Sequence, residues 1–298
     1  MKKITALLLA LILALSMTAC GGDAGSSENE ADSGAPQEEV QAENGKADKT
    51  VIVDHEDFRI TFTGVEPDYL GYYCIDLLLE NKTDQQLSFG AVDTSVNGLQ
   101  VVGSLSSTLQ SGEKRDDRLM FEIDSAASDW KAYGLDLNTV TDVGVEFGVS
   151  NREYETVYYG LSHIYPMGES QAITYERAAD EQDVVLMDNE YAKITYIGEE
   201  DDSIWGYMVH LYVENKTDHV ITLQKGNASA NGVNVSTSAY SERIMANCAK
   251  FTHLDLDANE LSENGITEID SLEVLFRIFD GDNTYSENYV EETMTLTK

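Results

Sequence analysis

Positive charge is scarce in this chain, and so are cysteine, proline and tryptophan. Lysine and arginine number 19 against 54 aspartate and glutamate, a formal net charge of −35 over 298 residues. Phosphate neutralisation needs clustered Lys and Arg, so DNA and RNA are excluded as partners. Three cysteines cannot build a disulfide framework. No apolar run reaches the roughly 20 residues that span a bilayer as a helix. Glycine-rich phosphate loops, G-x-G-x-x-G and C-x-x-C are missing. The five histidines, His55, His163, His210, His219 and His253, show no H-x-x-x-H or H-E-x-x-H spacing. His210 and His219 read as tolerant surface positions, and none of the five is expected to be catalytic or a metal ligand; no cofactor is expected.

The amino terminus is informative. Lys2 and Lys3 precede an apolar run from Ala6 to Leu15, which suits the h-region of a secretory signal peptide. Ser16-Met17-Thr18-Ala19-Cys20-Gly21 follows. This segment resembles the bacterial lipobox. The resemblance implies that residues 1–20 are a lipoprotein signal peptide and lipobox, and that Cys20 becomes the first mature residue, carrying acyl chains such as palmitate. The other reading is an ordinary signal peptide cut after Ala19. Two or more acyl chains anchor a protein stably, so the expected location is the extracytoplasmic face of the cell membrane. Loss of Lys2 and Lys3 takes the net charge to −37.

Residues 21–49 are rich in Gly, Ser, Glu, Asp, Ala and Gln and contain no aromatic side chain. Nothing there offsets the entropy of ordering, so a disordered acidic linker is expected, extended by self-repulsion. It would lift the rest of the chain through the cell-wall layer.

Beyond it the sequence repeats. Shifted by 134 positions, Asp54–Val102 aligns with Asp188–Ser236 without a gap, and about 18 of 49 residues are identical. Glu80-Asn81-Lys82-Thr83-Asp84 matches Glu214-Asn215-Lys216-Thr217-Asp218 in full, and Asn97-Gly98 matches Asn231-Gly232. After small gaps, Val143, Val145, Phe147 and Val149 match Leu272, Val274, Phe276 and Ile278. The expected domains are repeat 1 over 50–168, an interdomain linker over 169–183 and repeat 2 over 184–298. Relative domain motion is the default expectation across such a linker.

The apolar period in each repeat is two, as in a strand with one buried face. Tyr73, Ile75, Leu77 and Leu79 share one face, as do Tyr207, Val209, Leu211 and Val213. The alternate face, with Cys74, Asp76, Leu78 and Glu80 or Met208, His210, Tyr212 and Glu214, is expected to be wetter. The Glu-Asn-Lys-Thr-Asp stretch reads as a turn, and each Asn-Gly as a type I′ hairpin. Short helices over Ser125–Tyr133 and Ala258–Asn264 should stop at Gly134 and Gly265. Seven or so short strands with turns every 8–12 residues predict an all-β fold of two tandem immunoglobulin-like β-sandwiches. The Cys…Trp…Cys core of antibody domains is missing. The turn motifs, with Val96-Asn97-Gly98 and Ala230-Asn231-Gly232, resemble a recurring domain of unknown function in Gram-positive lipoproteins. That resemblance implies an immunoglobulin-like fold and an envelope location, and carries no activity.

Other segments read as structural. Gly168-Glu169-Ser170-Gln171-Ala172 lacks the closing glycine of a nucleophile elbow. Asp255-Leu256-Asp257-Ala258-Asn259-Glu260 begins like a calcium loop, but Glu260 and Ile266 stand where Gly and an acid are required. Asp280-Gly281-Asp282-Asn283 reads as a hairpin turn, and Glu199-Glu200-Asp201-Asp202 as a loop tip. Asn81, Asn215, Asn227 and Asn234 fit N-x-[ST] without being expected to carry glycans. Cys74 and Cys248 fall at non-equivalent places and read as thiols. Tyr154, Tyr158, Tyr159 and Tyr165 read first as packing with wet hydroxyls, with a carbohydrate or protein contact surface as the sharper reading, and Trp205 first as loop packing, with an exposed anchor as the sharper reading. The expectation is a non-enzymatic, lipid-anchored binding or adhesion-type protein with an unknown protein or carbohydrate ligand. The alternative is an accessory or structural envelope lipoprotein supporting a membrane or cell-wall complex.

Overall fold

The computed structural model describes residues 49–297 apart from 126–127, 203–205, 238–240 and 284. Residues 1–48, on which the expected signal peptide, Cys20 and nearly all of the expected acidic linker fall, lie outside the described residues, as does Trp205. The first repeat runs β1 Thr50–Asp54, β2 Phe58–Tyr69, β3 Tyr72–Asn81, β4 Leu87–Val96, β5 Leu99–Gln100, β6 Gly103–Ser104, β7 Ser106–Leu109, β8 Lys114–Glu122, β9 Asp124–Ser125, β10 Ser128–Asp129, helix α1 Trp130–Tyr133, β11 Val143–Asn151 and β12 Thr156–Ile164. The second runs β13 Val184–Asp188, β14 Ala192–Asp202, β15 Gly206–Asn215, β16 Ile221–Ala230, β17 Val233–Val235, β18 Ser241–Ile244, β19 Ala249–Leu256, helix α2 Ala258–Glu263, β20 Ser271–Asp280 and β21 Val290–Thr297. The fold is all-β, as the period of two predicts. Among the described residues no helix is long and apolar enough to cross a membrane.

Strand order makes each repeat a sandwich. Sheet β1-β2-β3-β8-β6 faces β12-β11-β4 in the first, and β13-β14-β15-β19 faces β17-β16-β20-β21 in the second. The alternating residues fill two cores. Phe58, Ile75, Leu77, Leu79, Phe121 and Phe147 are fully buried in one, and Ile194, Val213, Leu223, Leu256 and Ile278 in the other. Trp130 tilts over Tyr73 and Phe121 at the end of the first core. Bulges recur at equivalent places, between Phe62 and Gly64 and between Tyr196 and Gly198.

The motifs shared by both repeats turn out to be staples. Asn81 Nδ2 donates to the carbonyls of Gln85, Leu109 and Gln110 at 2.7, 3.2 and 3.0 Å, while its Oδ1 accepts from Thr83 N and Oγ1. Asn215 repeats the pattern with His219, Ile244 and Met245 at 2.8, 3.1 and 2.9 Å, and with Thr217. Lys82 reaches Asp54 and the His55 carbonyl, and Lys216 reaches Asp188 and the Asn189 carbonyl. Both Asn-Gly pairs adopt positive φ at both residues, 52° and 81° at Asn97-Gly98 and 50° and 81° at Asn231-Gly232, as a type I′ turn demands. Asn97 Oδ1 accepts from Thr141 and Asp142, and Asn231 Oδ1 from Asp270 and Ser271. Each hairpin tip is thereby tied to the chain entering the strand that pairs with its own first strand, β11 beside β4 and β20 beside β16.

Several expectations need correction. The outer face of β3 and β15 is not uniformly wet, since Cys74, Glu80 and Tyr212 on it are buried. The segment before Tyr133 is one helical turn after a small β9-β10 ladder, not a helix from Ser125. Glu199–Asp202 ends strand β14 instead of forming a loop. Helix α2 and its stop at Gly265, with φ 69°, are as expected.

Candidate binding surface

The two repeats are joined by more than a linker. The back sheet of repeat 1 and the front sheet of repeat 2 form one continuous nine-stranded sheet, because Leu99 of β5 pairs in parallel with Ala249 of β19. Ala249 N donates to the Gly98 carbonyl at 2.8 Å. Gln100 then bridges the seam: its Oε1 accepts from Met245 N, and its Nε2 donates to the Arg243 carbonyl and to Asp93.

Arg243 is the centre of the seam. Its guanidinium donates to Asp93 at 3.1 Å, to Glu146 at 3.1 Å, to the Tyr159 hydroxyl at 2.8 Å, and within its own repeat to Gly281 O and Asp282. Tyr159 in turn donates to Glu146 at 2.7 Å. Glu146 is only 3% exposed, so these donors take the place of water around it. Burial, and then the bond to Glu146, push the Tyr159 hydroxyl well above its ordinary range.

Aromatic rings close the far side. Tyr133 stacks on Phe251 at 4.5 Å, and Phe251 packs on Tyr212 at 5.1 Å. The linker joins in, with Tyr175 O–H donating to the Tyr133 carbonyl and Tyr175 N to the Asn97 carbonyl. Arg177 forks onto Asp183 at 2.6 and 2.8 Å and lies over the Tyr212 ring. Between Tyr133 and Phe251 and the exposed Val92 and Val102 a cleft of about 160 Å³ opens, with Asp93, Gln100 and Lys250 at its polar end. Its walls are apolar with a few fixed polar groups, as in ligand sites, but it is smaller than the roughly 300–1,000 Å³ of small-molecule pockets, so it has room for a single inserted side chain or sugar ring. Wider concavities lie elsewhere, among them one of about 520 Å³ around Asp76 and Arg118 and a more polar one of about 710 Å³ around Gly226 and Asn234.

A buried ion cluster supports repeat 2 just behind the cleft. Lys225, 1% exposed, donates to Thr252 Oγ1 and the His253 carbonyl and lies 3.4 Å from Glu242. Glu242 also accepts from Lys250 at 2.7 Å and Thr252 at 2.9 Å. Burial works to raise the Glu242 carboxyl, but the charge and hydrogen bond of Lys250, with Lys225 and Thr252, bring it down to about 2. A carboxylate lowered on folding contributes stability that is complete above its unfolded value and lost as pH falls toward its folded one. Repeat 2 is therefore expected to lose stability between about pH 4.5 and 2, and Glu242→Gln should flatten that part of an acid-unfolding curve.

The other residues singled out in the sequence disperse. Tyr158 packs on Phe58, Tyr159 enters the seam, Tyr165 stacks on His163, and Tyr154 is 91% exposed. They do not make one surface. His163 bonds Asp142 at 2.8 Å, which raises the imidazole against the opposing effect of burial. His55 Nδ1 accepts from Asp57 N, and His219 sits beside Asp218. Asp257 caps α2 through Asn259 N and Glu260 N, so the calcium-like stretch is a helix start. Glu169–Gln171 is a single 3₁₀ turn. Cys74 and Cys248 are buried free thiols, and burial pushes the Cys248 thiol up to about 11. His210 Nε2 lies 3.7 Å from Glu200, and His253 Nε2 lies 3.6 Å from Asp255.

No family model matches the chain, and no curated protein matches it. Among solved structures it is similar to the YadV chaperone, with a TM-score of 0.24 and 14% identity, covering 80% of this chain and 100% of that one. It is also similar to red sea bream transglutaminase, with a TM-score of 0.24 and 8% identity, covering 82% of this chain and 31% of that one. A third is CBD12 from CALX1.2, with a TM-score of 0.19 and 9% identity over 73% of this chain and 77% of that one. Overlap at this level says nothing about activity.

Proposed function

We propose that the protein is a non-enzymatic, lipid-anchored binding protein of the extracytoplasmic membrane face, held through Cys20 and engaging a protein or carbohydrate with the cleft between its repeats. The observation that carries this reading is the seam. Charged and aromatic contacts hold two sandwiches in one orientation and leave a part-apolar cleft open at their junction. A fixed orientation suits recognition, because little ordering entropy is lost on binding. The net charge favours a partner of opposite sign and gives it long-range attraction. The same rigidity suits an accessory envelope role, in which the protein would brace a larger membrane or cell-wall complex.

Two experiments test the proposal. Cys20→Ser is expected to move the protein from the membrane fraction to the soluble fraction; a variant that stays membrane-bound would refute the anchor. Val92→Glu with Val102→Glu should reduce at least tenfold the yield of a partner crosslinked to the native protein in its own envelope. Both side chains are more than half exposed, so folding should be unaffected. A partner captured equally by wild type and variant would place binding elsewhere and leave the bracing role.

A further inference from the structure

The strand register of repeat 2 brings together residues that are far apart in sequence. On the front sheet, Gly198 of β14 pairs with His210 of β15, which pairs with His253 of β19. The next rung is Glu200, Met208 and Asp255. These side chains share the outer face, because Val209, Leu211, Leu254 and Leu256 on the same strands point into the core. Two imidazoles thus stand directly opposite each other, with a carboxylate beside each ring, and Gly198 places no side chain over His210.

Repeat 1 shows what this position holds when it is closed. Its equivalent rung is Gly64, Asp76 and Arg118, with Glu66 in the place of Glu200. There the Arg118 guanidinium bonds Asp76 at 3.0 Å and Glu66 at 2.7 Å. A cation already occupies this ladder position, supplied by the chain itself. Repeat 2 keeps the glutamate but replaces the aspartate and the arginine by histidines, so the guanidinium is gone and two imidazoles stand in its place.

We infer that His210 and His253 form a binding site for a divalent transition metal such as Zn²⁺, completed by Glu200 or Asp255. Directly opposed residues on antiparallel strands have Cβ atoms roughly 4.5–5.5 Å apart. Tetrahedral zinc with bonds of about 2.0–2.1 Å needs ligand atoms about 3.3 Å from each other, within reach of two imidazoles by side-chain torsion alone. The ring-to-carboxylate separations of 3.7 and 3.6 Å are too long for hydrogen bonds and close to that ligand spacing. Among the described residues no three His, Cys, Asp or Glu side chains converge on one point as they stand, so the ion closes the site by drawing the rings and one carboxylate together. Imidazole donors select zinc, nickel or copper over calcium, which prefers oxygen.

Calorimetric titration of the metal-free full chain with ZnCl₂ tests this. One saturable site per chain is expected, weakened at least tenfold by His210→Ala or His253→Ala alone and abolished by the pair. Excess calcium should not compete, and Asp76→Ala in repeat 1 should leave it unchanged. In the unmutated protein, zinc should shift the ring-proton resonances of His210 and His253 and spare those of His55, which needs no variant to fold. Absence of a saturable site, a site surviving the double replacement, or resonance shifts confined to other histidines would overturn the inference.

Discussion

Replacing Asn81 by alanine is expected to destabilise the protein by about 3 kcal/mol or more, an effect large for one surface-turn motif. The side chain is 3% exposed and satisfies three carbonyls and two donors of Thr83 at once. Alanine leaves the Leu109 carbonyl without this partner in a buried setting, and each such orphaned group costs about 1–3 kcal/mol. Asn215→Ala should do the same to repeat 2, since its five contacts are equivalent. Asn→Asp should not rescue either site, because a carboxylate cannot donate to carbonyls. Urea unfolding of the two variants checks this. Losses below about 1 kcal/mol would mean that the motif is an ordinary solvated turn.

Arg243→Ala is expected to have the second large effect, and a different signature. It removes the cationic partner of Glu146, a carboxylate with almost no solvent access. Losing one partner of a fully buried pair costs about 3–5 kcal/mol, and a figure near 3 is expected here because Arg243 itself is partly exposed. The variant should also uncouple the repeats, so that a calorimetric scan showing one transition in the wild type splits into two. Arg243→Lys should restore little, since one ammonium cannot span Asp93, Glu146, Tyr159 and the Gly281 carbonyl together. Tyr159→Phe, which removes one hydroxyl and leaves the arginine, should cost about 1 kcal/mol.

The interior of each repeat was readable from the amino acids because it depends on local rules. Alternation at Tyr73–Leu79 and Tyr207–Val213 marks the strands and their buried face, Asn-Gly marks the hairpins, and Gly134 and Gly265 mark the helix ends. The duplication exposed the Asn81 and Asn215 motif without saying that it ties three chain segments together. The seam was not readable for a physical reason. It is built from positions where the copies differ: Tyr212 stands where repeat 1 has Leu78, Ala249 pairs as Lys114 does, and Arg243 pairs as Thr108 does. On a face expected to be wet, such differences look like drift. Period-two patterning says which side of a strand is covered by its own sandwich, and is silent about a second sandwich arriving on the other side. The opposed histidines were missed for a related reason. Ligand spacing along one strand or helix is visible in sequence, whereas a pair made across strands becomes visible only with the register.

The central claim, that two duplicated sandwiches behave as one body, is tested most directly by ¹⁵N relaxation of the backbone amides. Residues 50–168 and 184–298 should report one common rotational correlation time, that of a single particle. Two different and shorter times, one for each stretch, would show that the sheet joining Leu99 to Ala249 does not hold in solution.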